Sequence, residues 1–187
     1  MTRIVRTEVV RKGYATVTLV TLADASGREH QREVLGVGRA VCVLPYDPTR
    51  KVALVVRLPR APLLLAGVEG ALVEAPAGMI DPGEDPETTV RREAMEEVGL
   101  RLGDLEPVAN VWPSPGVLGE QTWLCLAAYA AEDRVGSGGG LAEENEDIAV
   151  EEIGLAQLGR MQQEGALHDM KTLALVQALR LRRPELF

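Results

Sequence analysis

Apolar and polar residues alternate with a period of two over residues 15–23, where ATVTLVTL carries β-branched side chains at alternate positions. The same pattern, less regular, runs over residues 5–11 and 30–35, with Ala25-Ser26-Gly27 as a turn before the third segment. Two solid apolar runs follow, RAVCVLPY (39–46) and VALVVR (52–57), separated by the turn signal Asp47-Pro48-Thr49-Arg50. Residues 61–70, with a Pro and two Gly, are expected to be a loop, and residues 71–74 a short strand running into Ala75-Pro76-Ala77-Gly78. Strand patterns recur at 105–112, 122–130 and 148–153. A helical period appears at 155–164 and again at 169–183, through MKTLALVQALRLR. The clearest helix begins after Asp85, an N-cap residue, with Pro86 suited to its first position and Gly99 to its C-terminal cap. Strands mixed with a few helices and no internal repeat predict an α+β domain preceded by a strand-rich arm.

Composition narrows the function. Over 187 residues, 28 acids against 20 bases give a net charge of −8. An acidic chain lacks the basic footprint of a nucleic-acid or anionic-membrane partner. No apolar run approaches the ~20 residues of a membrane span, and no signal-peptide core opens the chain. Cys42 and Cys125 sit in apolar runs and read as buried free thiols of a reducing cytoplasm. His30 and His168 have no ligand-spaced partner, so a zinc site is not expected. The acidity itself is concentrated: residues 78–100 carry −5 and residues 143–152 carry −6, which leaves +3 for the remainder.

On a helical wheel, Glu97 and Glu96 fall about 40° and 60° either side of Glu93, so three carboxylates share one face. Val90, Ala94 and Val98 form an adjoining apolar face. Like charges at (i, i+3) and (i, i+4) repel by a few tenths of a kcal/mol per pair, and a cation can hold them together. Oxygen-only ligands select hard ions such as Mg²⁺ or Mn²⁺. The helix alone is equally compatible with a solvated acidic face in which Arg92 and Glu96 form an (i, i+4) ion pair.

The longer pattern resolves this. Gly78, five residues, Glu84, seven residues, then Arg92-Glu93-Ala94-Met95-Glu96-Glu97-Val98-Gly99-Leu100 resembles the Nudix box, G-x5-E-x7-R-E-U-x-E-E-x-G-U with U apolar, and fills every fixed position. The resemblance implies an α/β/α Nudix sandwich with a mixed sheet that hydrolyses a nucleoside diphosphate linked to another group, using two or three Mg²⁺ (or Mn²⁺) ions. It implies that Glu93 and Glu97 bind metal directly, that Glu96 does so directly or through water, and that the Ala77 carbonyl adds a ligand. Glu84 and Arg92 would brace the box. On this basis residues 1–37 are expected to form an N-terminal β arm and 38–187 the hydrolase domain.

Outside the box, GLAEENEDIAV (140–150) resembles the loop carrying the catalytic base in ADP-ribose pyrophosphatases. Ser114-Pro115-Gly116 with Glu120 is similar to the S-P-G-x-x-x-E segment of that subgroup, which implies substrate contacts at Gly116 and Glu120. ALVVRLPR (53–60) is similar to a strand ending R-Q-x-R, with Leu58 in place of the glutamine. Asp169-Met170-Lys171-Thr172 is similar to a helix start shared by ADP-ribose and GDP-mannose hydrolases. The triple glycine before the acidic loop leans towards the GDP-mannose branch, and L-A-x-E-N-E-D-I towards ADP-ribose.

The residues themselves agree with a catalytic second patch. Glu143, Glu144, Glu146 and Asp147 follow a Gly/Ser run at 136–140, expected to be flexible, and mobile loops often complete a site. By resemblance Glu144 is the base that takes a proton from the attacking water, with Glu146 a further metal ligand or the alternate base. Arg57 and Arg60, at a strand end, suit charge-assisted contacts with a diphosphate or serve surface solubility, and Glu74 can orient a ribose or a neighbouring arginine. Trp112 and Tyr14 are candidates for base stacking, with core packing the favoured role for each.

The resulting expectation is hydrolysis of ADP-ribose to AMP and ribose 5-phosphate, with GDP-mannose or another nucleotide-sugar as the alternative substrate. A Nudix-derived sensor that binds without cleaving is the alternative of another class, although such proteins usually lose box carboxylates and none is lost here. By resemblance to an arm that exchanges between subunits, the N-terminal strands also imply a homodimer. The expected partner is a small nucleoside diphosphate sugar, with no nucleic acid and no membrane, in the cytoplasm.

Overall fold

The computed structural model describes residues 1–141 and 148–187. Two compact units account for them: Met1–Arg39 with Val111–Thr122, and Ala40–Asn110 with Trp123–Phe187.

In the first unit, β1 (Arg3–Arg11) pairs antiparallel with β2 (Val17–Ala23), from Arg3↔Ala23 to Arg11↔Val17. β2 then pairs with the first part of β3 (Glu29–Asp47), from Val17↔Leu35 to Ala23↔Glu29. The turn between them is held by Asp24, whose Oδ1 accepts from the Ser26 and Arg28 N–H groups at 2.9 and 3.0 Å. Every residue of β1 is exposed, including Ile4, Val5, Val9 and Val10. The segments expected separately at 30–35 and 39–46 are one continuous strand.

The second unit holds the core. Its part of β3 pairs with β4 (Val52–Leu58) through Tyr46↔Ala53, across the predicted Asp47 turn. There Asp47 Oδ1 accepts from the Thr49 and Arg50 N–H groups at 2.8 and 2.9 Å. β4 is flanked by β5 (Leu72–Glu74) and β9 (Ala149–Gly154), both antiparallel. The expected loop at 61–70 is corrected in part. Residues 61–65 are a short helix, α1 (Ala61–Leu65), started by Pro62 and burying nothing. Residues 77–79 form a further strand, β6 (Ala77–Met79), because Ala77 and Gly78 pair with Cys42 and Val41 of β3.

Period-two alternation on β3 and β4 sorts the core into two layers. Val41, Val43, Leu54, Val56 and Leu58 point to α2 (Pro86–Val98) and pack on Val90, Ala94 and Val98. The intervening Cys42, Leu44, Ala53 and Val55 are buried too, so the sheet is covered on both faces. Leu155 and Leu158 of α3 (Leu155–Gln163), with Leu175, Val176 and Leu179 of α4 (Met170–Arg182), are buried outside the α2 cluster. This is the expected α/β/α layering. Each fully buried Leu or Val contributes about 1.5–3 kcal/mol of apolar transfer. Both cysteines are buried and free, and burial pushes the Cys125 thiol up to about 12. No helix among the described residues is long and apolar enough to cross a membrane. β7 (Glu106–Val111) and β8 (Leu118–Ala128) complete the strands.

Candidate active site

The box helix forms where its caps predict. Asp85 Oδ1 accepts from the Glu87 and Thr88 N–H groups at 3.0 and 3.1 Å, Pro86 opens the helix, and Gly99 closes it in the left-handed region at φ 68°. The apolar face of α2 is held by the core, which turns Glu93 and Glu97 towards β6.

The Glu93 and Glu97 carboxylates meet backbone. Glu97, only 4% exposed, accepts from the Ala77 N–H at 3.0 Å. Glu93 lies so close to Gly78 that a Cβ there would overlap its carboxylate, a physical reason for glycine at the first box position. Arg92 is the hub. Its Nη1 donates to Glu93 (2.8 Å) and Glu96 (3.0 Å), and its Nη2 to Glu84 (3.3 Å) and the Met79 carbonyl (3.2 Å), with Asp81 at 3.8 Å. Burial draws the Arg92 guanidinium down, but Glu84, Glu93 and Glu96 outweigh it and hold it above its ordinary value. The Thr89 hydroxyl and then Arg92 hold Glu84 below the usual carboxylate range. The buried Arg92 Nε has no partner among the described residues.

The donors at this corner, Glu93, Glu96, Glu97 and the Ala77–Gly78 backbone, are all oxygen and fit a hard divalent cation. Among the described residues no group of three or more acidic, His or Cys side chains is drawn together as a closed metal site; Arg92 instead bridges Glu93 and Glu96.

A second polar cluster lies at the end of β5. Glu74, 2% exposed, receives both Nε and Nη2 of Arg60 at 2.8 and 2.9 Å. Lys171 Nζ stands 3.7 Å from Glu74 and 2.6 Å from Asp169. Asp169 caps α4 by accepting from the Thr172 N–H and hydroxyl at 2.8 and 2.7 Å, and the Thr172 oxygen accepts from the Ala75 N–H at 2.7 Å. Burial pushes the Asp169 carboxyl up, yet the Lys171 charge and the Thr172 bonds hold it below its ordinary value. The cluster therefore ties α4 to the end of β5, four residues before Gly78. From sequence, Asp169-Met170-Lys171-Thr172 reads only as a helix start; its link to Glu74 spans nearly a hundred residues.

Arg57, one of the expected diphosphate contacts, is paired with Glu151 of β9. Leu58, which stands where a glutamine was expected, is buried against α2. Gly116 and Glu120 belong to the first unit. There the Ser114 carbonyl accepts from the Val117 and Leu118 N–H groups, closing the turn through Gly116, and Glu120 accepts from the Thr122 hydroxyl at 3.0 Å. Trp112 and Tyr14 are not core residues, contrary to the favoured expectation: Trp112 is 51% exposed and Tyr14 fully so, because the strands of this unit leave most side chains uncovered. Glu144 and Glu146 lie outside the described residues.

The sandwich fold and a box-like loop–helix carrying clustered carboxylates define a class, and the comparisons agree with it. The NUDIX domain family model matches residues 36–175. The chain is 31% identical over 183 residues to a GDP-mannose pyrophosphatase of Salmonella arizonae, covering 95% of this chain and 94% of that one. It is 35% identical over 164 residues to a GDP-mannose pyrophosphatase of Cronobacter sakazakii, covering 87% and 84%. A crystal structure of an ADP compounds hydrolase shares the fold with a TM-score of 0.78 at 20% identity, over 98% of this chain and 95% of that one. The chain belongs to the Nudix family, and it is a hydrolase.

Proposed function

We propose that this hydrolase cleaves the diphosphate of a nucleoside diphosphate sugar in a reaction that depends on Mg²⁺ or Mn²⁺. The observation that carries the reading is the seating of Glu93 and Glu97 on the Ala77–Gly78 backbone with Arg92 and Glu84 as their brace. When bound, the divalent ions, two or three of them, supply positive charge at the diphosphate that an acidic protein otherwise lacks. Glu93, Glu96, Glu97 and the Ala77 carbonyl would hold them. Arg60, fixed by its two bonds to Glu74, directs its remaining nitrogen as an anion contact, and Arg57 is a second candidate. A water oxygen attacks phosphorus, the bridging anhydride oxygen leaves, and the water proton passes to Glu144, or to Glu146 in its stead. The products are a nucleoside monophosphate and a sugar phosphate.

ADP-ribose is the first substrate reading, carried by the similarity of residues 140–150 to the base loop of ADP-ribose pyrophosphatases. GDP-mannose is the second, favoured by the names of the relatives aligned over nearly the whole chain. The exposed apolar side chains of β1 support a homodimer; a monomer by light scattering at working concentration removes that part.

The deciding experiment is kcat/KM with Mg²⁺ on ADP-ribose, GDP-mannose, other nucleotide-sugars, diadenosine polyphosphates and nucleoside triphosphates, with products identified. A nucleotide-sugar is expected to lead the other classes by at least an order of magnitude. No turnover on any of them would replace the reading with ligand binding without cleavage.

A further inference from the structure

To serve as a metal ligand the Ala77 carbonyl has to stand beside Glu97, and strand geometry aims it there. Along an antiparallel pair, hydrogen-bonded and non-hydrogen-bonded residues alternate. The Val43 N–H donates to the Pro76 carbonyl at 2.9 Å, so at the next pair, Cys42↔Ala77, the Ala77 N–H and C=O face away from β3. The Ala77 N–H is accordingly given to Glu97 at 3.0 Å, and its carbonyl leaves from the same side of the strand.

What holds Ala77 along its own chain lies two residues earlier. Pro76 has a locked φ and confines the residue before it to extended backbone, so Ala75, Pro76 and Ala77 move as a stiff unit. Ala75 is fully buried, and its N–H donates to the Thr172 hydroxyl oxygen at 2.7 Å. The Cys42 thiol, a weaker donor, reaches the Ala75 carbonyl at 3.5 Å.

Thr172 is fully buried as well, and its hydroxyl has one hydrogen to give. Asp169 Oδ2 accepts that hydrogen at 2.7 Å, while the other Asp169 oxygen faces Lys171 Nζ at 2.6 Å. A carboxylate paired with an ammonium only accepts, so the hydroxyl turns a lone pair to the Ala75 N–H. The cap of α4 does not need this hydroxyl. Asp169 already caps the helix by accepting the Thr172 N–H at 2.8 Å, a bond that any residue except proline would supply. The side-chain oxygen serves the strand, and buried Leu175, Val176 and Leu179 keep α4 in place behind it.

We propose that Thr172 is a positioning residue of the divalent-cation site. Its hydroxyl, aimed by Asp169, fixes the Ala75 N–H and, through the stiff Ala75-Pro76-Ala77 segment, sets where the Ala77 carbonyl stands beside Glu97. The role rests on the metal-dependent hydrolysis read above. Groups that orient metal ligands from behind typically change metal affinity by about 10–100-fold when removed. Thr172 acts two residues from its ligand, which places it at the low end.

The test is the Mn²⁺ dissociation constant, measured by electron paramagnetic resonance without substrate. Thr172→Val keeps the shape and the cap but leaves the buried Ala75 N–H with no acceptor among the described residues. It is expected to weaken Mn²⁺ binding about tenfold, with kcat returning near native at saturating Mn²⁺. Three variants should bind Mn²⁺ as the native protein does: Thr172→Ser, which restores the hydroxyl; Asp169→Asn, which keeps an oxygen to aim it; and Val176→Ala, which loosens α4 by packing alone. Near-native affinity in Thr172→Val, or an equal loss in any of those three, overturns the positioning role. Amide hydrogen exchange on the native protein tests it even where Thr172→Val does not fold: the Ala75 amide should exchange slowly, and fast exchange overturns the role. Absence of Mn²⁺ binding by the native protein does so too, and turnover then decides the function alone. Mn²⁺ binding that depends on Thr172, without turnover of any nucleotide-sugar, overturns the function and keeps the role.

Discussion

Two acidic clusters flank residues 75–78, and they are balanced differently. At the end of β5, Glu74 and Asp169 face Arg60 and Lys171, two charges of each sign, and the hydrogen bonds close on themselves through Thr172 and Ala75. On α2, one guanidinium faces Glu84, Glu93 and Glu96, while Glu97 is held by a backbone N–H. A buried charge is tolerated when it is paired and hydrogen-bonded. The first cluster meets that condition within the chain and works as a joint between α4 and the box. The second, among the described residues, gathers Glu84, Glu93 and Glu96 around one guanidinium, and its oxygen-only donors suit an added divalent ion.

The largest effect that separates the two clusters is on turnover. Glu97→Gln keeps an acceptor for the Ala77 N–H, so the fold and melting temperature should hold, while kcat falls by at least about 10²–10³-fold. Near-native turnover would move Glu97 from the metal set to the joint class. The next effect is on stability with metal. A ligand that binds only the folded state at 100 times its dissociation constant stabilises by about 2.7 kcal/mol. Magnesium titration of the native protein should raise the melting temperature accordingly, and Glu97→Gln should blunt the rise. Asp169→Asn should leave it intact, and an equal loss in both variants would erase the distinction between the two clusters.

For the balanced cluster the expected loss lies in stability itself. Asp169→Asn leaves Lys171, among the described residues, with only the more distant carboxylate of Glu74, at a cost of about 2 kcal/mol, below the range for fully buried pairs because Lys171 is partly exposed. The pH dependence has a fixed sign. The folded Asp169 pKa lies below its ordinary 3.8, so its contribution is complete above that value and disappears as pH falls through the depressed one. Lys171 is the mirror case: burial draws it down, the Asp169 charge outweighs this, and its folded pKa lies above 10.5. Its contribution is complete below 10.5 and is lost as pH rises through the folded value. Urea unfolding of native and Asp169→Asn protein should differ by a constant amount from about pH 5 to 9 and converge in acid. A gap that persists unchanged below pH 3 would mean that the aspartate charge is not what stabilises the joint.

The difference between the clusters also explains what could be read before folding. The α2 cluster is local: Asp85, Pro86 and Gly99 mark the helix, and Glu93, Glu96 and Glu97 fall on one face by the 3.6-residue period. The strands around it follow from their alternation and from the Asp47 turn. The β5 cluster joins Glu74 to residues 169–172, and no local period carries that pairing. β6 is equally hidden, since its strand character comes from pairing with Cys42 and Val41 rather than from Ala77-Gly78-Met79 themselves. The 136–140 run looks mobile because glycine permits mobility, yet the positive φ of Gly138, Gly139 and Gly140 and the missing side chain of Gly138 serve close packing on the end of α2.

The smallest expected effect concerns Arg57, which lies between the two behaviours. Its partner Glu151 is across the β4–β9 ladder, and both side chains are about 40% exposed. Exposed pairs contribute about 0.2–1 kcal/mol, so Glu151→Gln should change unfolding free energy by less than about 1 kcal/mol. The informative quantity is KM. If Arg57 contacts the substrate diphosphate, Glu151→Gln frees a cation from a competing carboxylate and should leave KM for the nucleotide-sugar unchanged or lower, whereas Arg57→Gln should raise it severalfold with similar stability. If the pair serves only the ladder, both variants shift stability by the same small amount and KM by nothing. That outcome would leave Arg60, fixed by Glu74, as the single arginine of this strand end that serves the diphosphate.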